Sequence, residues 1–188
     1  QLPSVGEAWV IEEPAAARLQ VTKLCHHCGT YPGSSPGPNS GEKFLHWYCS
    51  GCRAYAPISA SNKTLIQTKG GAVVEFYYYN VTLSGWAGTG SDFEVSGVST
   101  AGSPAEESFK LRFINPQSVD IPESPIEYYD SLGVRHEIGI NHTNDYYNHV
   151  VITLNFLTNK YTVSVNGNTS AEIDFVSSQA SIGAVLFE

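Results

Sequence analysis

The feature that most constrains the fold of this chain is a two-residue alternation of apolar and polar side chains. In residues 108–113 every second residue is Phe or Leu, and the residues between them are Lys and Arg. The same alternation returns in residues 150–156, in residues 161–165, and around Ile173 and Phe175. Because successive side chains of a β-strand point to opposite faces, this period predicts strands that bury one face.

Turn residues separate these stretches. Asn166 and Gly167 supply the two positive-φ positions that a type I′ hairpin requires. No segment shows the 3.6-residue periodicity of an amphipathic helix, whereas about a dozen short strands are spaced by turns. The sequence therefore predicts an all-β protein, folded as an antiparallel β-sandwich of the jelly-roll kind.

Two stretches are expected at particular places in the sheets. Residues 73–83 are apolar or aromatic on both faces, which predicts a central strand. Residues 182–187 are a mostly apolar run near the end of the chain. We expect that run to form a strand able to pair with the sheet edge of a neighbouring subunit.

The length of 188 residues suits one domain with a substantial core. We therefore expect residues 1–188 to form a single β-sandwich domain. Residues 25–57, which contain the cysteines and a loop rich in Gly and Pro, are expected as a small N-terminal ribbon or hairpin inserted within it.

The four cysteines form two doublets, Cys25 with Cys28 and Cys49 with Cys52, and twenty residues separate the doublets. This spacing is typical of a zinc ribbon, in which four thiolates hold one structural zinc ion. Two disulfides that clamp a hairpin are the alternative, because the cysteines of extracellular proteins are usually oxidised. In both cases the cysteines stabilise a segment too small to build its own core.

The charge pattern excludes one class of partner. Only 15% of the residues are charged, the formal net charge is −8, and the ten basic residues are scattered singly. A nucleic-acid interface needs a basic stripe or patch, so nucleic acid is not an expected partner. No apolar run is long enough to cross a bilayer, and no membrane span is expected.

A surface with so few charges must be rich in Ser, Thr, Asn, Gly and Tyr, which is typical of secreted proteins. Four Asn-x-Ser/Thr sequons add to this picture, and three of them fall in segments expected as loops or turns. The four candidate N-glycosylation sites are Asn62, Asn80, Asn141 and Asn168. We therefore expect an extracellular glycoprotein, either secreted or on a particle surface.

Three sequence motifs resemble those of a known superfamily. They are the aromatic strand at residues 74–79, the strand at residues 109–113, and a hairpin whose two strands are residues 149–154 and 161–167. About residues 63–188 thereby resemble the concanavalin A-like lectin and glucanase superfamily, in its laminin-G-like or pentraxin-like form. In that superfamily a hairpin of the form W-H-x-V-x-[IL]-x-[LF]…Y-x-V-x-V-[DN]-G is common. Here Asn148 stands where Trp is usual.

The resemblance implies a jelly-roll sandwich that either binds carbohydrate or hydrolyses it. Members that hydrolyse β-glucans carry a Glu-x-Asp-x-x-Glu strand, whose paired carboxylates act as nucleophile and acid. The corresponding residues here are Glu172, Asp174 and Ser177, so the third carboxylate is missing. Glu172 and Asp174 also fit the solvent face of an alternating strand. We therefore expect no catalytic residues and no enzyme activity.

Aromatic residues beside loops are candidates for stacking against sugar rings. The alternative is that these rings are half-buried strand residues. The candidates are Trp86, Tyr128, Tyr129, Tyr146 and Tyr147.

Two further groups of residues are candidate ligand sites. The carboxylates of Asp92, Asp130 and Asp145 are candidate calcium ligands, although no dense Asp/Asn/Gly cluster surrounds them. Three histidines, His136, His142 and His149, lie near acidic residues in sequence without forming a recognisable catalytic arrangement.

The leading functional hypothesis is a non-enzymatic structural or adhesive subunit of an extracellular fibre or particle surface, assembled as a homo-oligomer or polymer. A lectin-like carbohydrate-binding domain is the second hypothesis. A polysaccharide-active glycosidase or lyase is the third. Apart from one possible structural zinc ion, no cofactor is expected.

Overall fold

The structure is a computed structural model that describes residues 10–12, 19–22, 44–47, 53–79, 92–101, 103–115, 120–144 and 146–188. Side chains are described for residues 53–78, 92–101, 106–115, 120–144 and 146–188. Several residues singled out from the sequence lie outside the described residues. They are Cys25, Cys28, Cys49, Cys52, Asn80, Trp86 and Asp145.

The described residues form strands almost throughout. In chain order the strands are β1 (Val10–Glu12), β2 (Leu19–Thr22), β3 (Phe44–Trp47), β4 (Arg53–Pro57), β5 (Gly71–Tyr79), β6 (Phe93–Thr100), β7 (Ser103–Phe113), β8 (Glu123–Tyr129), β9 (Arg135–Thr143), β10 (Tyr147–Asn155), β11 (Lys160–Val165), β12 (Asn168–Thr169), β13 (Ile173–Asp174) and β14 (Ala184–Phe187). A helix, α1 (Ala60–Lys69), lies between β4 and β5.

Two antiparallel sheets make up the sandwich, which confirms the predicted fold class. The seven-stranded sheet has the order β1-β4-β14-β6-β7-β8-β9. The five-stranded sheet has the order β12-β11-β10-β5, with β13 also paired to β11. Strands β2 and β3 pair separately as a two-stranded sheet.

The core lies between the two large sheets and follows the alternation seen in the sequence. Strand β7 contributes Phe109, Leu111 and Phe113, all fully buried. From the opposite sheet, Val150 and Ile152 are also fully buried and belong to the same cluster. Each such side chain stabilises the fold by about 1.5–3 kcal/mol when it leaves water, so this contact holds the sheets together.

The predicted type I′ hairpin is present between β11 and β12. Asn166 and Gly167 have φ angles of 51° and 88°. Asn148, which stands where the superfamily usually has Trp, is fully buried beside this turn. Its Oδ1 accepts hydrogen bonds from the N–H of Thr143 at 2.8 Å and from Nδ2 of Asn166 at 3.0 Å. This amide therefore links the end of β9 to the β11–β12 hairpin.

The sequence prediction missed α1. The helix begins after Ser59, whose hydroxyl accepts the N–H of Asn62 at 3.3 Å, and ends where the N–H of Gly70 bonds to the carbonyl of Ile66 at 2.7 Å. None of its side chains is buried. The periodicity argument failed because a helix without a buried face has no apolar stripe, and only its two capped ends mark it in the sequence.

Two strand positions differ from the prediction. Strand β5, expected in the centre, is the last of the described strands in the order of its sheet. Strand β14, expected to reach a neighbouring subunit, lies inside the seven-stranded sheet and pairs with β4 on one side and β6 on the other. In addition, residues 53–57, which the sequence places in the cysteine ribbon, form β4 of the seven-stranded sheet.

Candidate functional site

The outer face of β5 is exposed, because alternate residues of this strand point away from the core. Val74, Phe76 and Tyr78 pack against the core cluster. The residues between them face outward, and Val73 is 62% exposed and Tyr77 is 38% exposed. The apolar and aromatic residues on both faces of this strand therefore do not place it between two covered layers.

An aromatic pair stands on this outer face. Tyr77 lies directly opposite His149 of β10, and their rings are stacked with centroids 4.7 Å apart and an angle of 18°. Nε2 of His149 lies 2.7 Å from Oε1 of Glu75. The side chains of His149 and Glu75 are 37% and 58% exposed. We call Tyr77, His149 and Glu75 the Tyr77 platform.

Hydroxyl groups continue this face across the neighbouring strands. Thr153 lies opposite Val73, and Thr162 of β11 lies opposite Thr153. Ser164 of β11 lies opposite Val151 of β10, which in turn lies opposite Glu75 of β5. At the far end of the face Lys160 pairs with Asp174, with Nζ and Oδ1 3.2 Å apart. The outer face of the five-stranded sheet is therefore an open surface with an aromatic pair, hydroxyl groups and two exposed carboxylates, Glu75 and Asp174.

The outer face of the seven-stranded sheet is different, because charged side chains cover much of it beside the buried cluster of Tyr55, Val98, Ala184 and Leu186. We call it the charged face. Four of the ten basic residues of the chain take part in ion pairs there. These basic residues are Arg53, Lys110, Arg112 and Arg135. Their acidic partners are Asp92, Glu94, Glu107, Glu127 and Glu188.

Glu94 and Tyr129 lie near the middle of the charged face. The hydroxyl of Tyr129 donates to Oε1 of Glu94 at 2.7 Å, and Nζ of Lys110 lies 5.3 Å from the Tyr129 ring centroid. Burial, together with this hydrogen bond, raises the pKa of Tyr129 to about 12. Lys110 also contacts Glu94 at 3.0 Å. These charges satisfy one another, so a ligand here would have to displace existing pairs.

The tyrosines predicted to stack on sugars do not share a surface. Tyr128 packs against the core and stacks on His136, with centroids 5.2 Å apart. Tyr129 belongs to the charged face. Tyr146 is 65% exposed, and Tyr147 begins β10. Tyr128 and Tyr129 lie near the start of β9, because Tyr129 is opposite Arg135. Tyr146 and Tyr147 lie beyond its other end, because they follow Thr143 in the chain.

The two described calcium candidates already have other partners. Asp92 pairs with Arg112 and accepts the N–H of Asn115 at 2.8 Å. Asp130 closes its own turn by accepting the N–H groups of Leu132 and Val134, both at 2.9 Å. Within the described residues no group of three or more His, Cys, Asp or Glu side chains is placed to hold a metal ion.

His142 lies in the core rather than at a ligand site. Its ring is fully buried, and Nε2 lies 3.0 Å from the carbonyl oxygen of Ile114, while Nδ1 has no hydrogen-bond partner in the described part of the chain. The rings of Tyr78 and Phe113 pack against it. Burial lowers the pKa of His142 and outweighs the hydrogen bond to Ile114. Tyr78 stays neutral, because burial and then Asp92 raise its pKa.

We expect this histidine to make the protein less stable in mild acid. Below about pH 6.5 the unfolded chain takes up a proton that the folded core resists, so stability falls until the pH reaches the lowered pKa of the folded state. Urea unfolding at about pH 7.5 and about pH 5.5 measures the loss. His142→Gln should lose less stability than the wild type between these two pH values. An equal loss in the two proteins would assign the effect to another group.

The described sequons are all exposed, although none lies in a loop as expected. Asn62 is in the first turn of α1, Asn141 is in β9, and Asn168 is in β12. Of the carboxylates weighed for catalysis, Glu172 is exposed and Asp174 faces outward against Lys160. Both therefore lie on the solvent side of β13.

Comparisons with known proteins place the fold. No family model matches the sequence, and no curated protein matches it. The structure is similar to part of a chain named "Sialidase", with a TM-score of 0.59 and 13% sequence identity. The match covers 95% of this chain and 13% of the sialidase chain. At this identity the likeness shows a shared β-sandwich fold alone.

A second similar chain is named "Ruminococcus gnavus IT-sialidase CBM40". It has 13% identity, and the match covers 65% of this chain and 66% of that chain. Its TM-score of 0.35 is too low to support a structural conclusion. Independently of these comparisons, no described helix is long and apolar enough to cross a membrane.

Sequence reasoning missed Tyr77, and it considered His149 only beside acidic residues, not as the partner that Tyr77 stacks on. The signal was present, because Val73, Glu75 and Tyr77 occupy alternate positions of β5. A carboxylate at the middle one of these positions indicates an outward face, and the two flanking residues share that face.

Proposed function

We propose that this protein is a non-enzymatic carbohydrate-binding domain that holds neutral sugars on the Tyr77 platform. The observation that carries the proposal is the exposed ring pair of Tyr77 and His149, next to an exposed carboxylate. The exposed part of these two rings leaves apolar surface in water. A sugar ring that covers them with its C–H face removes that surface from water.

Polar groups around the rings supply the hydrogen bonds that sugar hydroxyls need. Glu75 is fixed by His149 at 2.7 Å and remains 58% exposed, so its oxygens can accept from a ligand. Thr153 and Ser164 offer hydroxyls that both donate and accept on the same face. A hydrogen bond to a charged group is stronger than one between neutral groups, which makes Glu75 the principal polar contact.

Charge favours neutral sugars over acidic ones. The platform carries one carboxylate, and the nearest described cation on this face, Lys160, is paired with Asp174. The whole chain has a net charge of −8, which also repels anionic ligands. The charged face is a weaker candidate, because its cations are already paired. The likeness in fold to part of a sialidase chain, whose name denotes a carbohydrate-active enzyme, is compatible with carbohydrate binding.

The hypothesis of a self-assembling structural subunit stays untested, and one argument for it is removed. That argument required β14 to lie at a free edge, whereas β14 is paired on both sides. An extracellular location remains part of the proposal, because polysaccharide ligands occur mainly outside cells.

The proposal is tested by measuring the affinity of the full chain for a panel of soluble neutral and acidic polysaccharides. We expect the wild type to bind at least one neutral member. Tyr77→Ala should weaken that binding about tenfold or more, equivalent to ~1.4 kcal/mol, because the stacked ring is lost. Tyr77→Phe keeps the ring and should bind like the wild type.

Tyr146→Ala is the matched control, since Tyr146 is an exposed tyrosine outside the platform. It should leave affinity unchanged. The proposal is wrong if no neutral polysaccharide binds, if acidic ones bind better, or if Tyr77→Ala binds as tightly as the wild type.

A further inference from the structure

A polar groove runs along one side of the sandwich. It adjoins the Tyr77 platform through Asn166, whose Oδ1 accepts the N–H of His149 at 2.9 Å. It has a volume of about 440 Å³, which falls within the range of small-molecule sites. One wall comes from β8 and β9 and includes Glu123, Asn141 and Thr143. The other wall comes from the β11–β12 hairpin and includes Asn166 and Asn168.

The groove lies where the described edges of both sheets meet. Strand β9 is the last strand in the order of the seven-stranded sheet, and β12 is the last in the order of the five-stranded sheet. Edge strands present backbone N–H and C=O groups that can pair with another chain, so proteins usually cover or interrupt such edges.

Two sequons face each other across this groove. Asn141, followed by His142 and Thr143, is on one wall, and Asn168, followed by Thr169 and Ser170, is on the other. Both asparagine side chains are exposed. The third described sequon, Asn62, is on α1, which contacts β5 at the other end of the five-stranded sheet.

We propose that this groove is the seat of the protein's own N-linked glycan, attached at Asn141, at Asn168, or at both. The first sugars would lie in the groove and cover the edges of β9 and β12. The donor is an oligosaccharide carried on a lipid diphosphate. A bond forms between Nδ2 of the asparagine and C1 of the first sugar, and the C1–O bond to the diphosphate breaks. The lipid diphosphate leaves with the electron pair, and a base of the transferase takes one proton from Nδ2.

The lining suits the polar core of such a glycan. Thr143 can donate to and accept from sugar hydroxyl and acetamido groups, and Glu123 can accept. Glu123 already lies 3.4 Å from Nδ2 of Asn141, a long contact that a sugar could replace. The glycan is thereby held against the protein, whereas a glycan on α1 would extend into solvent.

The test uses the full chain secreted from eukaryotic cells, with each sequon followed separately by mass spectrometry of its peptide. An endoglycosidase that cuts within the glycan core is applied to folded and to denatured protein. If the sugar in the groove gains the net free energy of about one hydrogen bond, the endoglycosidase should cut the glycan about tenfold more slowly in folded than in denatured protein. We expect this slowing at Asn141 or Asn168, with any glycan at Asn62 cut equally fast in both states.

A second measurement addresses the edge itself. Asn141→Gln combined with Asn168→Gln should raise concentration-dependent self-association, whereas Asn62→Gln should not. Absence of glycan at both groove sites, or equal cleavage rates at those sites in folded and denatured protein, would overturn the proposal. Both results are independent of carbohydrate binding by the Tyr77 platform, so the two proposals fail separately.

Discussion

Gly183→Ala is expected to destabilise the protein by at least about 2 kcal/mol, a larger effect than we expect from any other single substitution considered above. A Cβ atom at this position would lie 2.0 Å from the carbonyl oxygen of Ser99 and 2.8 Å from its carbonyl carbon. Both are backbone atoms, so no side-chain rotation can relieve the overlap.

The position also joins three strands. The N–H of Gly183 donates to the carbonyl of Val98 at 2.8 Å, and its own carbonyl accepts the N–H of Ile58 at 2.8 Å. Moving Gly183 away from Ser99 would lengthen both hydrogen bonds, just before β14 enters the sheet between β4 and β6. The effect would therefore spread across the centre of the seven-stranded sheet.

Thermal and urea unfolding measure this loss, and Gly133→Ala is the control. A Cβ atom at Gly133 meets nothing within 4 Å, but its φ of 75° makes any side chain unfavourable there. That control should cost only about 1 kcal/mol. Equal losses in the two variants would mean that β14 and β6 are not as closely apposed as described.

Arg112→Met is expected to destabilise the protein by about 2–3 kcal/mol, between the values for exposed and for buried ion pairs. Arg112 pairs with Asp92, Glu94 and Glu127. All four side chains are only 18–23% exposed. Methionine fills a similar volume without the charge, so three half-buried carboxylates would remain without their central cation.

Arg112→Lys separates charge from shape at this position, and Arg135→Met is the exposed control. Arg112→Lys keeps the charge and loses the planar fork, so it should recover part of the stability. Arg135→Met removes a cation that is 50% exposed and contacts Glu127 at 3.6 Å, and it should cost less than about 1 kcal/mol. Denaturant unfolding at neutral pH provides the comparison. An Arg112→Met variant as stable as Arg135→Met would show that the charged face contributes little.

The strands with the clearest alternation could be predicted because their pattern is local. Residues 109–113 and 150–156 place their apolar side chains in the core as expected, since period-2 patterning and burial of one face are read from the same few residues. The Asn166-Gly167 turn was likewise predicted, because its φ requirement belongs to two adjacent residues.

Strand neighbours could not be predicted in this way. The apolar run that became β14 is apolar on both faces, and both faces are buried because Val185 and Phe187 join the main core while Ala184 and Leu186 join a second cluster with Tyr55. A sequence that is apolar on both faces is expected both for a strand buried between two others and for a strand at a subunit contact. The sequence does not say which strands lie beside it.

The candidate site was missed for the same reason. The Tyr77 platform unites residues of β5 and β10, which are far apart in sequence and meet only through the strand register. The tyrosines that we singled out lie beside turns, where exposure is expected from sequence, and the structure distributes them over separate surfaces. Adjacent tyrosines on a strand point to opposite faces, so Tyr128 and Tyr129 could not form one platform.

The central claim is that neutral carbohydrate binds on the outer face of the five-stranded sheet. The most direct measurement is a crystal structure of the full chain with a neutral oligosaccharide taken from the best-binding polysaccharide. We expect a sugar ring in van der Waals contact with Tyr77 or His149 and a hydroxyl within hydrogen-bond distance of Glu75. A sugar seated instead on the charged face, or in the groove between β9 and β12 with the platform bare, would contradict the claim.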